Sequence, residues 1–348
     1  MKLKLFQQYL RKQKIDLAFL VHPDINITYF TQLKPSFAML LITSNKASFY
    51  LTKLDSFPQL KNISSQILGK GWEKKIGNKK IKRIGVNKES LTLVYQDKLK
   101  KLFPQAKLVD VSEILKGLRS LKVPEEITKI SRACKITSDA FNDLIKELKT
   151  KKLKTEQDVS LFLESEFRRR GGEVAFPTIA AMGKNAAIPH HITSNQKLHK
   201  GFLLIDCGAS YQHYNADMTR MIYLGTPSVS EKAFYALLLK SQESVISIIK
   251  EGIPFKNLDD ISRKNLGKYS SKFVHSLGHG IGLEVHEAPS FSPDPKNIIK
   301  KNQIFTIEPG IYFPNKFGLR IEDTLYFDGK VKILTKASKK LVSLNIFK

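Results

Sequence analysis

Between residues 202 and 223 the chain reads FLLIDCGASYQHYNADMTRMIY, an apolar run, a polar turn-rich middle and a second apolar run. This pattern predicts two antiparallel strands joined by a short loop. Residues 304 to 327, IFTIEPGIYFPNKFGLRIEDTLYF, repeat the plan. Asp206-x-Gly208 matches Glu308-x-Gly310, and Asp217-x-Thr219 matches Glu322-x-Thr324. Each half therefore embeds two carboxylates among apolar strand residues.

The first third of the chain alternates short apolar runs (DLAFLV, FAMLLIT, ASFYLT, RIGV) with amphipathic stretches, which predicts a small α/β domain. It holds no dense cluster of ligand-type residues, so a structural or gating role is expected of it. A boundary is expected near GLRSLKVP, 117 to 124, giving domains over 1 to 119 and 120 to 348. Pro124 followed by Glu125 and Glu126 is a good helix start, since proline is tolerated at the first helical position and carboxylates favour the positive helix end. Apolar residues at helical spacing follow, so a long helix opens the second domain. Thr155 and Asp158 resemble a capping box with Asp in place of the usual Glu or Gln, and that helix is expected to end at Gly171 and Gly172. A further helix is predicted over 231 to 252, with Gly252 as its stop.

Composition narrows the class. At 348 residues with 42% hydrophobic residues, the chain can bury a full core and reads as a folded soluble protein. The opening MKLKLFQQYLRKQK lacks the apolar stretch of a signal peptide, and runs such as FAMLLI are far too short to span a bilayer. A cytoplasmic protein with no membrane contact is expected. Two cysteines, Cys134 and Cys207, give neither a disulfide framework nor a zinc-finger spacing. The formal charge of +26 would suit a polyanionic partner. The lysines are spread along the chain, however, and the densest stretches, 70 to 83 and 146 to 154, have little aromatic interleaving and no nucleic-acid-reading motif. No specific nucleic-acid partner is expected.

The candidate chemistry lies in the two hairpins. Four acids on otherwise apolar strands are costly to bury unpaired, and a bound cation is the simplest account of them. FVHSLGHGIGLEVHEAP, 273 to 289, adds three of the eight histidines. His279 lies between Gly278 and Gly280, uncrowded by side chains, and is the chosen nitrogen ligand. His286 is placed to donate a hydrogen bond to a substrate carbonyl or tetrahedral oxyanion. His275 stands four residues before His279, but HSLGH contains glycine and is a poor helix. It suits a place behind the ligands or against substrate, and a plain buried histidine fits nearly as well. The loop GKNAAIPHHI ends in His190 and His191, one expected to point inward and one outward. Cys207 should face the core, opposite Asp206. Carboxylates with one imidazole suit Mn(II) or Co(II), and Zn(II) is also admissible.

These residues resemble the pita-bread metallopeptidases, the family of methionine aminopeptidase, aminopeptidase P, prolidase and the metal-free creatinase. The likeness rests on D-x-G (206 to 208), D-x-T-R (217 to 220), G-H-G-I-G with V-H-E (278 to 287), I-E-P-G-I-Y (307 to 312) and R-I-E-D (320 to 323), in the family's order. It covers 120 to 348, while 1 to 119 is more loosely similar to a creatinase-type N-terminal domain. The resemblance implies an α/β N-terminal creatinase-like domain followed by an α+β C-terminal pita-bread catalytic domain. It implies two divalent metal ions: Asp206 chelates one, His279 and Glu308 bind the other, and Asp217 and Glu322 bridge both. Glu308 would also take the proton from the attacking water. His190 and His286 would contact the substrate and stabilise the tetrahedral intermediate, and His275 and Arg320 would line or brace the site. A homodimer is left open.

Among these subfamilies, the presence of 1 to 119 favours proline-containing peptides cleaved at a Xaa-Pro bond. That bond is a tertiary amide with no N–H, which proteases relying on strand-like hydrogen bonding handle poorly. A dipeptidase must also hold the free carboxylate of the proline, for which arginine is the natural partner. Some resembling prolidases carry arginine directly after H-E-x-P, where this chain has Ser290. Removal of the N-terminal residue before proline is therefore the expected reaction, with the dipeptidase as alternative. A non-catalytic pita-bread protein that binds RNA or protein is the rival of a different class. Such relatives lose metal ligands, whereas all five positions are filled here.

Overall fold

The computed structural model describes residues 1–69, 71, 72, 76, 80–291, 294 and 296–347. Part of the lysine-dense stretch 70 to 83 lies outside the described residues. The chain divides into two compact units, Met1–Arg119 and Ser120–Lys348.

The first unit is built on the continuous apolar runs LAFLV and AMLLI, buried at every position, as a strand covered on both faces requires. They form β1 (Leu17–Val21) and β2 (Ala38–Ile42), flanked by β3 (Ala47–Leu51), β4 (Ser64–Ile67), β5 (Arg83–Val86) and β6 (Lys107–Asp110). The mixed sheet runs in the order β4-β3-β2-β1-β5-β6. Among the described residues, helices α1 (Lys2–Lys12), α2 (Ile25–Thr31), α3 (Leu93–Leu102) and α4 (Ser112–Ser120) accompany it. This is the expected α/β architecture.

The second unit opens with α5 (Pro124–Lys149), where Glu126 accepts a hydrogen bond from the Val123 N–H at 2.8 Å. Helix α6 (Glu156–Arg169) starts on a reciprocal box. Asp158 accepts from the Thr155 N–H at 3.0 Å, and Thr155 Oγ1 accepts from the Asp158 N–H at 3.1 Å. Gly171, at φ +76°, follows its end. Helix α7 (Val229–Ser247) begins two residues before the expected start, because Ser228 and Glu231 form a capping box of their own. It also stops short of Gly252, which sits in a later turn at φ +85°. Helix α8 is Phe255–Leu266. Among the described residues no helix is long and apolar enough to cross a membrane.

Two sheets carry the unit. One has the order β20-β12-β9-β8, from β8 (Ile179–Met182), β9 (Gly201–Cys207), β12 (Met218–Leu224) and β20 (Val342–Leu344). The other has the order β14-β13-β15-β18-β19, from β13 (His279–Gly280), β14 (Glu287–Ser290), β15 (Gln303–Ile307), β18 (Asp323–Phe327) and β19 (Val331–Ile333). Alternation along β9 separates two cores. Phe202 and Leu204 join the cluster containing residues of α7, α8 and the second sheet, while Leu203, Ile205 and Cys207 face α5 and α6. Cys207 is a core residue, as expected.

Each predicted hairpin is broken at its centre rather than continuous. The β9/β12 ladder ends at Cys207 opposite Met218, and beyond it β10 (Ala209–Tyr211) and β11 (Tyr214–Asn215) pair in a separate small sheet with β7 (Glu173–Val174). The β15/β18 ladder ends at Ile307 opposite Asp323, and β16 (Gly310–Phe313) and β17 (Phe317–Arg320) continue as a separate ribbon. At the first break the strands approach so closely that a Cβ on Gly208 would lie 1.9 Å from the Ala216 carbonyl oxygen. At the second, Pro309 has no N–H with which to extend a ladder.

Candidate active site

The four acids stand at these two breaks. Asp206 is in β9, Asp217 immediately precedes β12, Glu308 immediately follows β15, and Glu322 lies between β17 and β18. His279 reaches them because its neighbours have no side chains. A Cβ on Gly278 would fall 2.1 Å from the Thr306 carbonyl oxygen, and one on Gly280 would fall 2.4 Å from the Ala288 carbonyl. His279 Nδ1 lies 3.1 Å from the Gly280 carbonyl oxygen, a contact that turns Nε2 toward the acids. Nε2 is 3.2 Å from Glu308 Oε1 and 3.7 Å from Asp217 Oδ2. Ligand atoms of Asp217, His279 and Glu322 lie within 4.8 Å of one another.

Burial pushes the Asp217 and Glu322 carboxyls well above the usual range, reinforced by repulsion among the four acids. Glu308 goes the other way. Burial acts to raise it, but the hydrogen bond and charge of His279, with His275 and Arg320 nearby, bring it down to about 2. Among the described residues, Asp206 Oδ1, Asp217 Oδ1 and Glu322 Oε1 are buried with no hydrogen-bond partner. Three orphaned carboxylate oxygens are costly without a cation. Oxygen donors with one imidazole nitrogen are a fitting set for divalent metal ions, which these residues could hold.

Arg320 is engaged within the protein. It donates through Nε to Thr219 Oγ1 at 3.0 Å, through Nη1 to Tyr312 Oη at 2.7 Å and Pro189 O at 3.3 Å, and through Nη2 to Asp206 Oδ2 at 2.5 Å. His275 Nε2 meets the same Tyr312 hydroxyl at 2.8 Å, and its Nδ1 is 3.9 Å from Glu308 Oε2. Both residues thus stand behind the acids as well as at the cavity wall. That cavity, about 680 Å³ in volume, is lined by His190, His286, Phe176, Ile179, Ser290 and Phe291 beside the acids. The His286 ring stands edge-on to His279, 4.2 Å between centroids, and burial together with the nearby His279 lowers its pKa. His191 turns away from the cavity to Glu156, 3.0 Å distant, so the paired histidines divide as expected.

Sequence reasoning missed several supporting residues. Thr219 Oγ1 donates to Glu322 Oε2 at 2.8 Å, and Thr306 Oγ1 accepts from the His279 N–H at 3.1 Å. Tyr312 joins His275 to Arg320. Thr219 and Tyr312 are letters of the D-x-T-R and I-E-P-G-I-Y segments, which was the available signal. Lys122 and Glu287 form an ion pair at 2.7 Å with side chains 1% and 2% exposed, fixing the neighbour of His286.

Residues 128–328 match Metallopeptidase family M24, and residues 2–121 match the Creatinase/Prolidase N-terminal domain. A Xaa-Pro dipeptidase of Pyrococcus horikoshii is 34% identical over 349 residues, 98% of this chain and 98% of that protein. The crystal structure of the prolidase from Pyrococcus horikoshii OT3 is similar with a TM-score of 0.89 at 32% identity, covering 98% of this chain and 99% of that one. The X-Pro aminopeptidase from Thermotoga maritima MSB8 is similar with a TM-score of 0.86 at 30% identity, covering 97% and 100%.

Proposed function

Because the chain belongs to metallopeptidase family M24, with a creatinase N-terminal domain followed by a pita-bread catalytic domain, we propose that it is a Xaa-Pro dipeptidase. We assign 1–119 and 120–348 to these domains. The observation that carries the specificity is similarity along the whole length to a Xaa-Pro dipeptidase. It favours the dipeptidase over the aminopeptidase reading drawn from Ser290. Xaa-Pro aminopeptidase activity remains the second reading, on Ser290 in the cavity wall and the similarity to the Thermotoga maritima enzyme.

The residues that would hold two divalent ions are Asp206, Asp217, His279, Glu308 and Glu322, and the oxygen-rich set favours Mn(II) over Co(II) or Zn(II). When bound, such ions activate water and polarise a carbonyl. Glu308 takes the proton of the attacking water, its Oε1 held 3.3 Å from Thr306 Oγ1. His190 and His286 donate to the oxygen that gathers negative charge as the carbonyl becomes tetrahedral. Arg320 holds Asp206, while Tyr312 holds His275 close to Glu308. Phe176, Ile179 and Phe291 offer apolar surface to the prolyl ring.

The test is a side-by-side assay of Xaa-Pro and Xaa-Pro-Yaa peptides on protein loaded with Mn, Co or Zn. Dipeptide cleavage supports the reading, and cleavage of tripeptides alone replaces it with the aminopeptidase. Inertness to both, with two metals bound per chain, refutes peptidase function. Steeply salt-dependent RNA binding would then support the non-catalytic rival.

A further inference from the structure

Glu156 is the first residue of α6 and is wholly buried, yet it lies outside the constellation described above. Its Oε1 accepts from the Met182 N–H at 2.7 Å and Asn185 Nδ2 at 2.8 Å. Its Oε2 is 3.0 Å from His191 Nε2 and accepts from the Ser194 N–H at 3.2 Å and Ser194 Oγ at 2.8 Å. Among the described residues every partner of the side chain belongs to the segment 182–194, two residues lying before His190 and two after it. The backbone of the helix start ties the same segment down, with the Glu156 N–H donating to Gln196 O at 3.0 Å and the Gln157 N–H to Ser194 O at 3.1 Å.

A buried carboxylate with this many donors is more than a helix cap. Its charge stands at the positive end of α6, and the donors around it outweigh the burial that would otherwise neutralise it. On the far side of the loop, Arg320 donates to Pro189 O at 3.3 Å. The stretch bearing His190 is thus held between one anion and one cation. Holding His191 toward the anion leaves His190 facing the cavity.

We propose that Glu156 is a positioning residue for the reaction, setting the pose of His190 by gathering the flanks of its loop onto one buried carboxylate. The proposal rests on the reading of His190 as a donor to the reacting carbonyl. Among the described residues Glu156 neither lines the cavity nor bonds any of the five candidate metal ligands, so its effect would travel through the loop.

Glu156→Gln is the direct perturbation. A glutamine amide matches the shape, but its NH2 faces two or three of the five donors. Displacing a reacting group by about 1 Å costs up to roughly a hundredfold in rate. E156Q should therefore lower kcat by about tenfold to a hundredfold, with KM changed less than about threefold and metal content unchanged. The deciding measurement is a double-mutant cycle with His190→Ala, on whichever of the two substrate types the loaded enzyme cleaves. Once His190 is gone, E156Q should cost no more than about twofold further. If the two losses multiply, Glu156 is only structural and the proposal falls while the role of His190 stands. If H190A alone retains full turnover, the role of His190 falls and the proposal with it. Should E156Q fail to fold, His191→Ala, which removes a single donor, is put through the same cycle with the same deciding outcomes.

Discussion

Replacing Arg320 with lysine keeps the charge at the site and removes the fan of donors. The guanidinium serves Thr219, Tyr312, Pro189 and Asp206 from three nitrogens while only 3% exposed. An ammonium is one nitrogen on a flexible stem and cannot reach the same directions together. With the Asp206 pair and one further bond retained, two bonds from the charged group to neutral partners are lost, at about 1 to 1.5 kcal/mol net each. Neither Thr219 nor Tyr312 is then left wholly unpaired, since Glu322 and His275 remain, so the loss stays near 2 to 3 kcal/mol, or roughly 4 to 12 °C in Tm for a unit of this size. Felt in full at the transition state, the same energy is roughly a 30- to 150-fold loss in kcat/KM.

Arg320→Met supplies the contrast. It strips the charge as well and leaves Asp206 beside three other carboxylates without its partner, a loss of about 3 to 5 kcal/mol. Thermal melts of metal-loaded protein, metal content and kcat/KM on a Xaa-Pro substrate measure all of this. The reasoning is refuted if R320K lies within about twofold of the parent, or if R320K and R320M cannot be distinguished.

Gly208→Ala forces a Cβ to within 1.9 Å of the Ala216 carbonyl oxygen, so it should lower stability by about 3 kcal/mol or more in a thermal melt. An unchanged Tm would mean that the close approach at the first break is not fixed. Glu308→Gln should cut kcat by about a hundredfold to ten-thousandfold with the fold intact by circular dichroism. His275→Asn should lower turnover by roughly tenfold while both metals stay bound, and loss of metal would move His275 into the ligand set. Glu156 has a folded pKa below its ordinary 4.5, so its stabilisation is present above that value and is lost as pH falls through the folded value. Proteolysis within 183–194 should accordingly accelerate on acidification below pH 4.5, and E156Q should flatten that dependence.

The four acids and His279 stood out in the sequence because each is a costly residue in the wrong setting: an acid in an apolar strand, or an imidazole between glycines. The helix starts were legible for a similar reason, since Thr155 with Asp158 completes one cap within three residues, and Pro124 followed by Glu125 and Glu126 marks the other. The breaks in the hairpins were not. Apolar residues continue on both sides of each break, and only the crowding at Gly208 and the missing N–H of Pro309 divide one strand into two. The braces were hidden more deeply, for Thr219 meets Glu322 across 103 positions and Arg320 meets Asp206 across 114. Glu156 looked like an ordinary first-turn carboxylate, because its partners come from a loop 26 to 38 residues further on.

The repeat explains why the braces lie so far apart. Thr219 and Thr324 are the matched residues of the two hairpins, and each reaches across to the other hairpin's acid. Thr219 Oγ1 donates to the Glu322 carboxylate, and Thr324 Oγ1 donates to the Asp217 carbonyl oxygen at 2.7 Å. The backbone repeats the exchange, with the Glu322 N–H donating to Thr219 O at 3.2 Å. Arg320 of the second hairpin holds Asp206 of the first in the same way. Each ladder ends beside its carboxylates, and among the described residues Thr306 holding Glu308 is the one side-chain brace from within a hairpin. Asp206 and Glu322 are braced only across the two halves, so substitution of Thr219 or Thr324 should disturb the acids of the opposite hairpin before those of its own.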